Sequence, residues 1–134
     1  MFKKILFPVD NSRETSHAIS LVADLAQHYQ SGIHVLSVLD RDGLDPSQSE
    51  SSQAQIQGLL KQTESALRQV GLHQVTSEYR EGKIPFVICD VADEQNMDLI
   101  IMGCRGLGLT EDKADDSVST RVINLAPCPV LVVP

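Results

Sequence analysis

Three glycines in six residues, Gly103, Gly106 and Gly108, follow directly on the apolar run Leu99-Ile100-Ile101-Met102. Glycine tolerates positive φ and lets a backbone approach a ligand closely, so such a turn after a buried strand can cradle a phosphate. Further on, Ser117-Val118-Ser119 opens a helical pattern with two hydroxyls. The free N–H groups of a helix N-terminus form a ready anion site. Taken by themselves these residues leave two readings open, a phosphate-binding loop or a plain turn. Asp10 stands at the end of another apolar run, Ile5 to Val9. It either touches a ligand or caps the helix that follows.

Other chemistry finds less support. Glu111, Asp112, Asp115 and Asp116, offset only by Lys113, read as a solvated loop, because a hard-cation cage needs oxygens at a fixed spacing that this run does not specify. Cys104 sits near a possible helix N-terminus but has no partner for nucleophilic work, and Cys89 and Cys128 read as packing residues. His17, His28, His34 and His73 are scattered without metal-ligand spacing and read as surface or edge residues. No Ser–His–acid order and no lysine-bearing phosphate loop is present, so no catalytic and no metal site is predicted. A net charge of −7 argues against nucleic-acid and anionic-membrane partners. Aromatic residues at 4%, with no Trp, argue against a base-stacking surface. Three cysteines without C-x-x-C spacing suit a reduced cytoplasm. The apolar run Ile5 to Val9, broken by Pro8 and ended by Asp10, is too short for a signal peptide or a membrane span.

The elements that must position these residues alternate in type. Ile5–Val9 predicts a buried strand. Ala18, Val22, Leu25 and Tyr29, at helical spacing, predict an amphipathic helix. Ile33–Leu39 predicts a second strand. Residues 40–55 are rich in Gly, Pro, Ser, Gln and acids, and predict a mobile loop. Ile56, Leu59, Leu60, Thr63, Leu67 and Val70 mark one face of a second helix, stopped by Gly71. Val75–Arg80 is a more polar strand, placed at or near an edge. Pro85 opens a third helix with Val87, Ile88, Val91 and Ala92 on its buried face. Leu99–Met102 is apolar on both faces and predicts a central strand. A helix through Val118, Val122 and Leu125 and a strand Pro129–Val133 complete the chain. Strands separated by helices need crossovers, which give a doubly wound α/β sheet of five parallel strands with helices on both faces. A chain of 134 residues fits a single domain spanning 1–134. In such sheets ligands bind outside the carboxyl ends of the strands, where the winding reverses.

Ile5-Leu6-Phe7-Pro8-Val9-Asp10-Asn11-Ser12, Met102-Gly103-Cys104-Arg105-Gly106-Leu107-Gly108 and Ala126-Pro127-Cys128-Pro129-Val130-Leu131-Val132-Val133 together resemble the universal stress protein family. With the element order, the resemblance covers the whole chain. It implies strand order 3-2-1-4-5 and an adenine-nucleotide pocket for AMP or ATP, with Mg²⁺ accompanying ATP. Adenine and ribose contacts are implied at Val9, Asp10 and Val38. Phosphate contacts are implied at Gly103, Arg105, Gly106, Ser117, Val118 and Ser119, with Met102 at the head of the loop. It also implies a homodimer through Val130–Val133 and a role in stress regulation that works by binding and pairing, through a protein partner the sequence does not name. The nucleotide-binding branch of the family has Gly-x-x-Gly, nine residues, then Gly-Ser or Gly-Thr. This chain matches Gly103, Gly106 and Ser117 but carries Asp116 in place of the third glycine. A carboxylate there repels a phosphate by about 3 kcal/mol at ~5 Å and an effective dielectric of ~20 before screening. It also caps the N–H groups that a phosphate would use. The phosphate end is therefore weakened and AMP is favoured over ATP. The alternative reading is a dimeric interaction module that binds no nucleotide.

Overall fold

A computed structural model of the chain describes residues 1–10, 13–42, 44–104 and 118–134. Its elements run β1 (Lys4–Pro8), α1 (Arg13–Tyr29), β2 (Gly32–Leu39), α2 (Pro46–Gln69), β3 (Val75–Glu81), α3 (Ile84–Glu94), β4 (Leu99–Gly103), α4 (Val118–Leu125) and β5 (Val130–Val133). The strands form a five-stranded sheet in the order β3-β2-β1-β4-β5, and every pairing is parallel. The polar strand β3 is at one edge, as its sequence requires, and β5 is at the other.

Alternation along the strands divides the core into two layers. Ile5, Phe7, Val9, Ile33, Val35, Leu99 and Ile101 face the layer covered by α1 and α2, where Val22, Leu60 and Leu67 are buried. Leu6, Leu36, Ile100 and Met102 face the opposite layer, closed by Ile88, Val91 and Ala92 of α3 and Val118 and Val122 of α4. Burying one such large apolar side chain is worth roughly 1.5–3 kcal/mol, which is why strands apolar on both faces settle at the centre.

Two expectations are corrected. Residues 46–55 are helical, so only the segment before Pro46 connects β2 to α2. Pro46 occupies the first turn of α2, where its missing N–H costs nothing, and Gln48 Oε1 accepts the Asp45 N–H at 3.3 Å. The turn is polar because most of it faces water; Ser47, Gln48 and Glu50 are exposed and Ser49 alone of the first turns is buried. Val70 lies not on the buried face but at the C-cap, 46% exposed. Its carbonyl accepts Gln27 Nε2 at 2.6 Å.

Two glycines separate local strain from open space. Gly82, between β3 and α3, has φ +144°, and a Cβ there would lie 2.8 Å from Val87 Cγ2. Gly58 in α2 has nothing within 4 Å of such a Cβ. Gly82→Ala is expected to cost about 1–3 kcal/mol, and Gly58→Ala to add roughly 0.5–1 kcal/mol. Chemical denaturation of the two variants checks both signs; equal effects would contradict this account of the backbone.

Candidate functional site

The chain winds from β1 outward through β2 to β3, then returns through β4 to β5, so the winding reverses between β1 and β4. The carboxyl end of β1 is therefore the switch point of the sheet, and those sequence-predicted residues that are described gather on either side of it.

On the β2 side lies a pocket of about 170 Å³. Its floor is Val9 and Asp10 after β1 with Ser37 and Val38 of β2. Its walls are Ile56 and Leu59 of α2 and Ile84 and Ile88 of α3. The aliphatic walls come from the i, i+3 face of α2 and the i, i+4 face of α3, the same stripes that seal the core. Ser37 is buried, and its hydroxyl donates to the Val9 carbonyl at 3.2 Å, tying the two strand ends together. The Asp10 N–H donates to Thr15 Oγ1 at 3.1 Å, and the Thr15 hydroxyl donates to Asp10 Oδ1 at 3.0 Å. Asp10 is thus anchored to the first turn of α1 while lining the pocket.

Parity along β2 fixes where its backbone groups point. Gly32 donates to the Lys3 carbonyl, and the Leu36 carbonyl accepts the Val9 N–H at 2.9 Å. Even-numbered residues of β2 therefore turn their N–H and C=O toward β1. Val38 has the same parity and lies beyond the last β1–β2 rung, Pro8 beside Leu36. Its peptide groups face the pocket edge rather than β3.

On the other side of the switch point, Met102 and Gly103 end β4 and are buried. The Cys104 N–H donates to the Val133 carbonyl at 2.9 Å, carrying the β4–β5 pairing one residue further. Val118 and Ser119, in the first turn of α4, are each 8% exposed, and the Ser119 hydroxyl reaches the Cys104 carbonyl at 3.5 Å. The structure thus brings Val9, Asp10 and Val38 into one pocket, and Met102, Gly103, Val118 and Ser119 together beside it. Arg105, Gly106, Asp116 and Ser117 lie outside the described residues.

Charged groups ring the β2–β3 end. Arg41 donates to Glu81 and to Ser49, Tyr79 Oη donates to Glu81 Oε1 at 2.6 Å, and Lys83 pairs with Asp40 and Asp42. Among the described residues no group of three or more His, Cys, Asp or Glu could hold a metal ion. Cys89 and Cys128 are free, half-buried thiols pushed up by burial, in keeping with a packing role. His34, expected at the surface or an edge, lies on β2 beside the edge strand β3, with its ring 13% exposed and engaged on both nitrogens. Its partners are on β3, more than 40 residues away in sequence. Only the strand register could have disclosed them.

The Glu81 carboxyl is held at about 2, first by the Arg41 hydrogen bond and then by Tyr79, against an ordinary 4.5. Because its folded value is depressed, the pair stabilises the fold above pH 4.5 and that contribution disappears as pH falls toward 2. Exposure keeps it modest. Carbon-detected NMR titration should place the Glu81 midpoint near 2, and Arg41→Ala should return it toward 4.5. A midpoint that Arg41→Ala leaves in place would rule out the pairing.

The sequence profile of the Universal stress protein family matches residues 1–134. The chain is 50% identical to Universal stress protein Sll1654 of Synechocystis sp. over 137 aligned positions, covering 100% of this chain and 87% of that protein. Universal stress protein UspA from Lactobacillus plantarum superposes with a TM-score of 0.86 at 24% identity, covering 99% of this chain and 98% of that one. A universal stress protein solved in complex with cAMP superposes with a TM-score of 0.79 at 18% identity, covering 98% and 96%. At these identities the superpositions speak to the fold.

Proposed function

The chain belongs to the universal stress protein family, and from that premise we propose that it is a dimeric, cytoplasmic stress-response regulator that binds an adenine nucleotide at the switch point. The observation that carries this reading is the pocket between α2 and α3, which joins Val9, Asp10 and Val38 under aliphatic walls. Flat apolar walls suit a base. An N–H and a C=O from one residue, Val38, match the acceptor and donor that adenine offers side by side on its pairing edge. The anchored Asp10 carboxylate suits ribose hydroxyls. At about 170 Å³ the pocket is smaller than the roughly 300–1,000 Å³ that enclose a drug-sized ligand. It takes the base end, and the phosphate runs outward toward Met102, Gly103, Val118 and Ser119. A related fold solved with cAMP, an adenine nucleotide with one phosphate, supports this choice.

Asp116 sets the preference for AMP. The loop sequence adds Glu111, Asp112 and Asp115 to Asp116, negative charge that disfavours a triphosphate more than a monophosphate. Hydrolysis needs a positioned water and cationic stabilisation, for which the loop offers Arg105 alone. The output of the protein is then its partner surface rather than turnover. The same acid favours the second reading, a dimeric interaction module that takes no nucleotide. Calorimetry decides between them. AMP is expected to bind one per chain, and Asp116→Gly to strengthen ATP tenfold or more, about 1.4 kcal/mol, with a smaller gain for AMP. No heat with AMP for either protein favours the second reading, and equal gains for ATP and AMP mean that Asp116 does not face the outer phosphates.

The partner surface in this reading is β5. Val130–Val133 form a short uncharged edge strand whose side chains all remain partly exposed, with no lysine to guard it. Ile123 and Leu125 of α4, 54% and 50% exposed, extend the apolar character of that end. Val132→Lys is expected to convert the dimer to monomer, read as a fall in sedimentation coefficient. A coefficient that does not move would exclude this strand as the interface.

A further inference from the structure

At the opposite end of the sheet from the nucleotide pocket, parallel pairing sets His34 beside Thr76 and Leu36 beside Glu78. His34 Nδ1 is 2.6 Å from Thr76 Oγ1, and His34 Nε2 is 2.7 Å from Glu78 Oε2. Hydroxyl, imidazole and carboxylate thus form one hydrogen-bonded line, built across two strands rather than along the sequence. The carboxylate is itself held in place. Arg80 Nε donates to Glu78 Oε1, Gln95 Nε2 donates to Glu78 Oε2 at 3.3 Å, and Arg80 is fixed from behind by Glu94 at 2.8 Å.

These contacts orient the carboxylate and the ring. Burial opposes the charge on Glu78, but the hydrogen bonds from Arg80 and His34 outweigh it and hold the carboxyl below its ordinary range. In the neutral tautomer that carries its proton on Nε2, the imidazole donates to Glu78 and directs its Nδ1 lone pair at the Thr76 hydroxyl. The imidazole is shielded at 13% exposure while Thr76 is exposed, so the base is sheltered and the hydroxyl is accessible. A pocket of about 290 Å³ opens beside the pair. Ile33, Val75 and Met97 give it apolar lining, and Lys4 brings a positive charge to it.

A hydroxyl hydrogen-bonded to an imidazole that a carboxylate orients is an activated nucleophile. We propose that Thr76 is a self-acylation site, taking a short acyl group from a small activated acyl compound (an ester, thioester or acyl phosphate) seated in this pocket. Thr76 Oγ1 attacks the carbonyl carbon as its proton passes to His34 Nδ1. The bond from carbonyl carbon to leaving oxygen or sulfur then breaks, and the imidazolium returns the proton to the leaving group. An ester forms at Thr76, the donor's activated bond is lost, and nothing is oxidised or reduced. The developing oxyanion lies in the pocket that Lys4 lines. Glu78, Arg80 and Gln95 are positioning residues. The product is a modified protein, so the chemistry is a single event on each chain and adds to the binding role without making the protein a turnover enzyme.

The test uses the full chain with p-nitrophenyl acetate, following p-nitrophenol release and locating the acetyl group by peptide mass mapping. One equivalent of p-nitrophenol and one acetyl group on Thr76 are expected. Thr76→Val should abolish that adduct, Thr76→Ser should retain it, and His34→Gln should slow its formation at least about a hundredfold, the lower end of general-base contributions. Thr76 is exposed, and thermal melts of its variants check that loss of the adduct reports chemistry rather than folding. Acetyl groups confined to lysines and the amino terminus would overturn the proposal, as would a Thr76 adduct that forms equally fast in His34→Gln.

Discussion

The pairing of β1 with β4, with Ile5 beside Leu99 and Leu6 beside Ile100, joins two strands whose side chains are buried on both faces. Ile5, Leu6, Phe7, Ile100, Ile101 and Met102 are fully shielded from water. Strands of this kind are stable only if helices cover both sides, and a parallel crossover must be right-handed. The chain therefore has to leave β1 in one direction, cover one face with α1 and α2, and return through β4 to cover the other with α3 and α4. The reversal between β1 and β4 follows from that burial. So does the gap at their carboxyl ends, where no crossover passes directly between them. The amino end is closed instead: the Lys4 N–H donates to Asp98 Oδ2 at 2.9 Å, and the Asp98 N–H donates to the Lys4 carbonyl at 2.8 Å.

Polar groups are then confined to the places the apolar strands leave them. At the carboxyl ends, Asp10, Ser37 and the Val38 peptide sit where β1 stops pairing, and each is oriented by a contact that also holds the fold. Ser37 joins two strand ends, and Thr15 joins Asp10 to a helix. A ligand there meets groups already in position, so little ordering cost falls on binding. At the β3 edge the requirement is different. With one neighbour only, β3 can alternate Thr76, Glu78 and Arg80 on a face that a central strand would have to keep apolar. Edge position is what permits a carboxylate and an imidazole to meet beside the core.

The parts legible in the sequence were those carried by local pattern. Leu99–Met102 could be nothing but a central strand, and Pro85 marked the start of α3 to within a residue. In the first turns of α2 the polar composition predicts a loop, although Asp45, Pro46 and Gln48 together form a helix-start signal. Composition reports how much apolar surface a segment can bury, whereas capping reports where a helix can begin. The two disagree when a helix begins largely in water and meets the core only from Ile56 onward. On the site, Val9, Asp10 and Val38 came from resemblance, and the structure supplies what resemblance does not, the parity that turns the Val38 peptide toward the pocket. His34 was illegible for the converse reason. Its partners are set by the β2–β3 register, a non-local quantity that no spacing along the chain encodes.

Helix α3 is the element that meets both ends of the molecule. Ile84 and Ile88, in its first turns, wall the pocket at the carboxyl ends, while Glu94, its last residue, and Gln95, its cap, hold Arg80 and Glu78 at the other. Eleven helical residues span about 16 Å at 1.5 Å per residue, and a packed helix moves as a body rather than stretching. Its buried face, Ile88, Val91 and Ala92, is fixed against Leu6, Leu36 and Ile100. Closely packed interiors resist small displacements. The geometry of the His34–Glu78 line and the width of the pocket at the carboxyl ends are thus referred to one helix on one strand. The run of β2 from His34 through Leu36 to Val38, all on the α3 face, supplies the common base on which both are built.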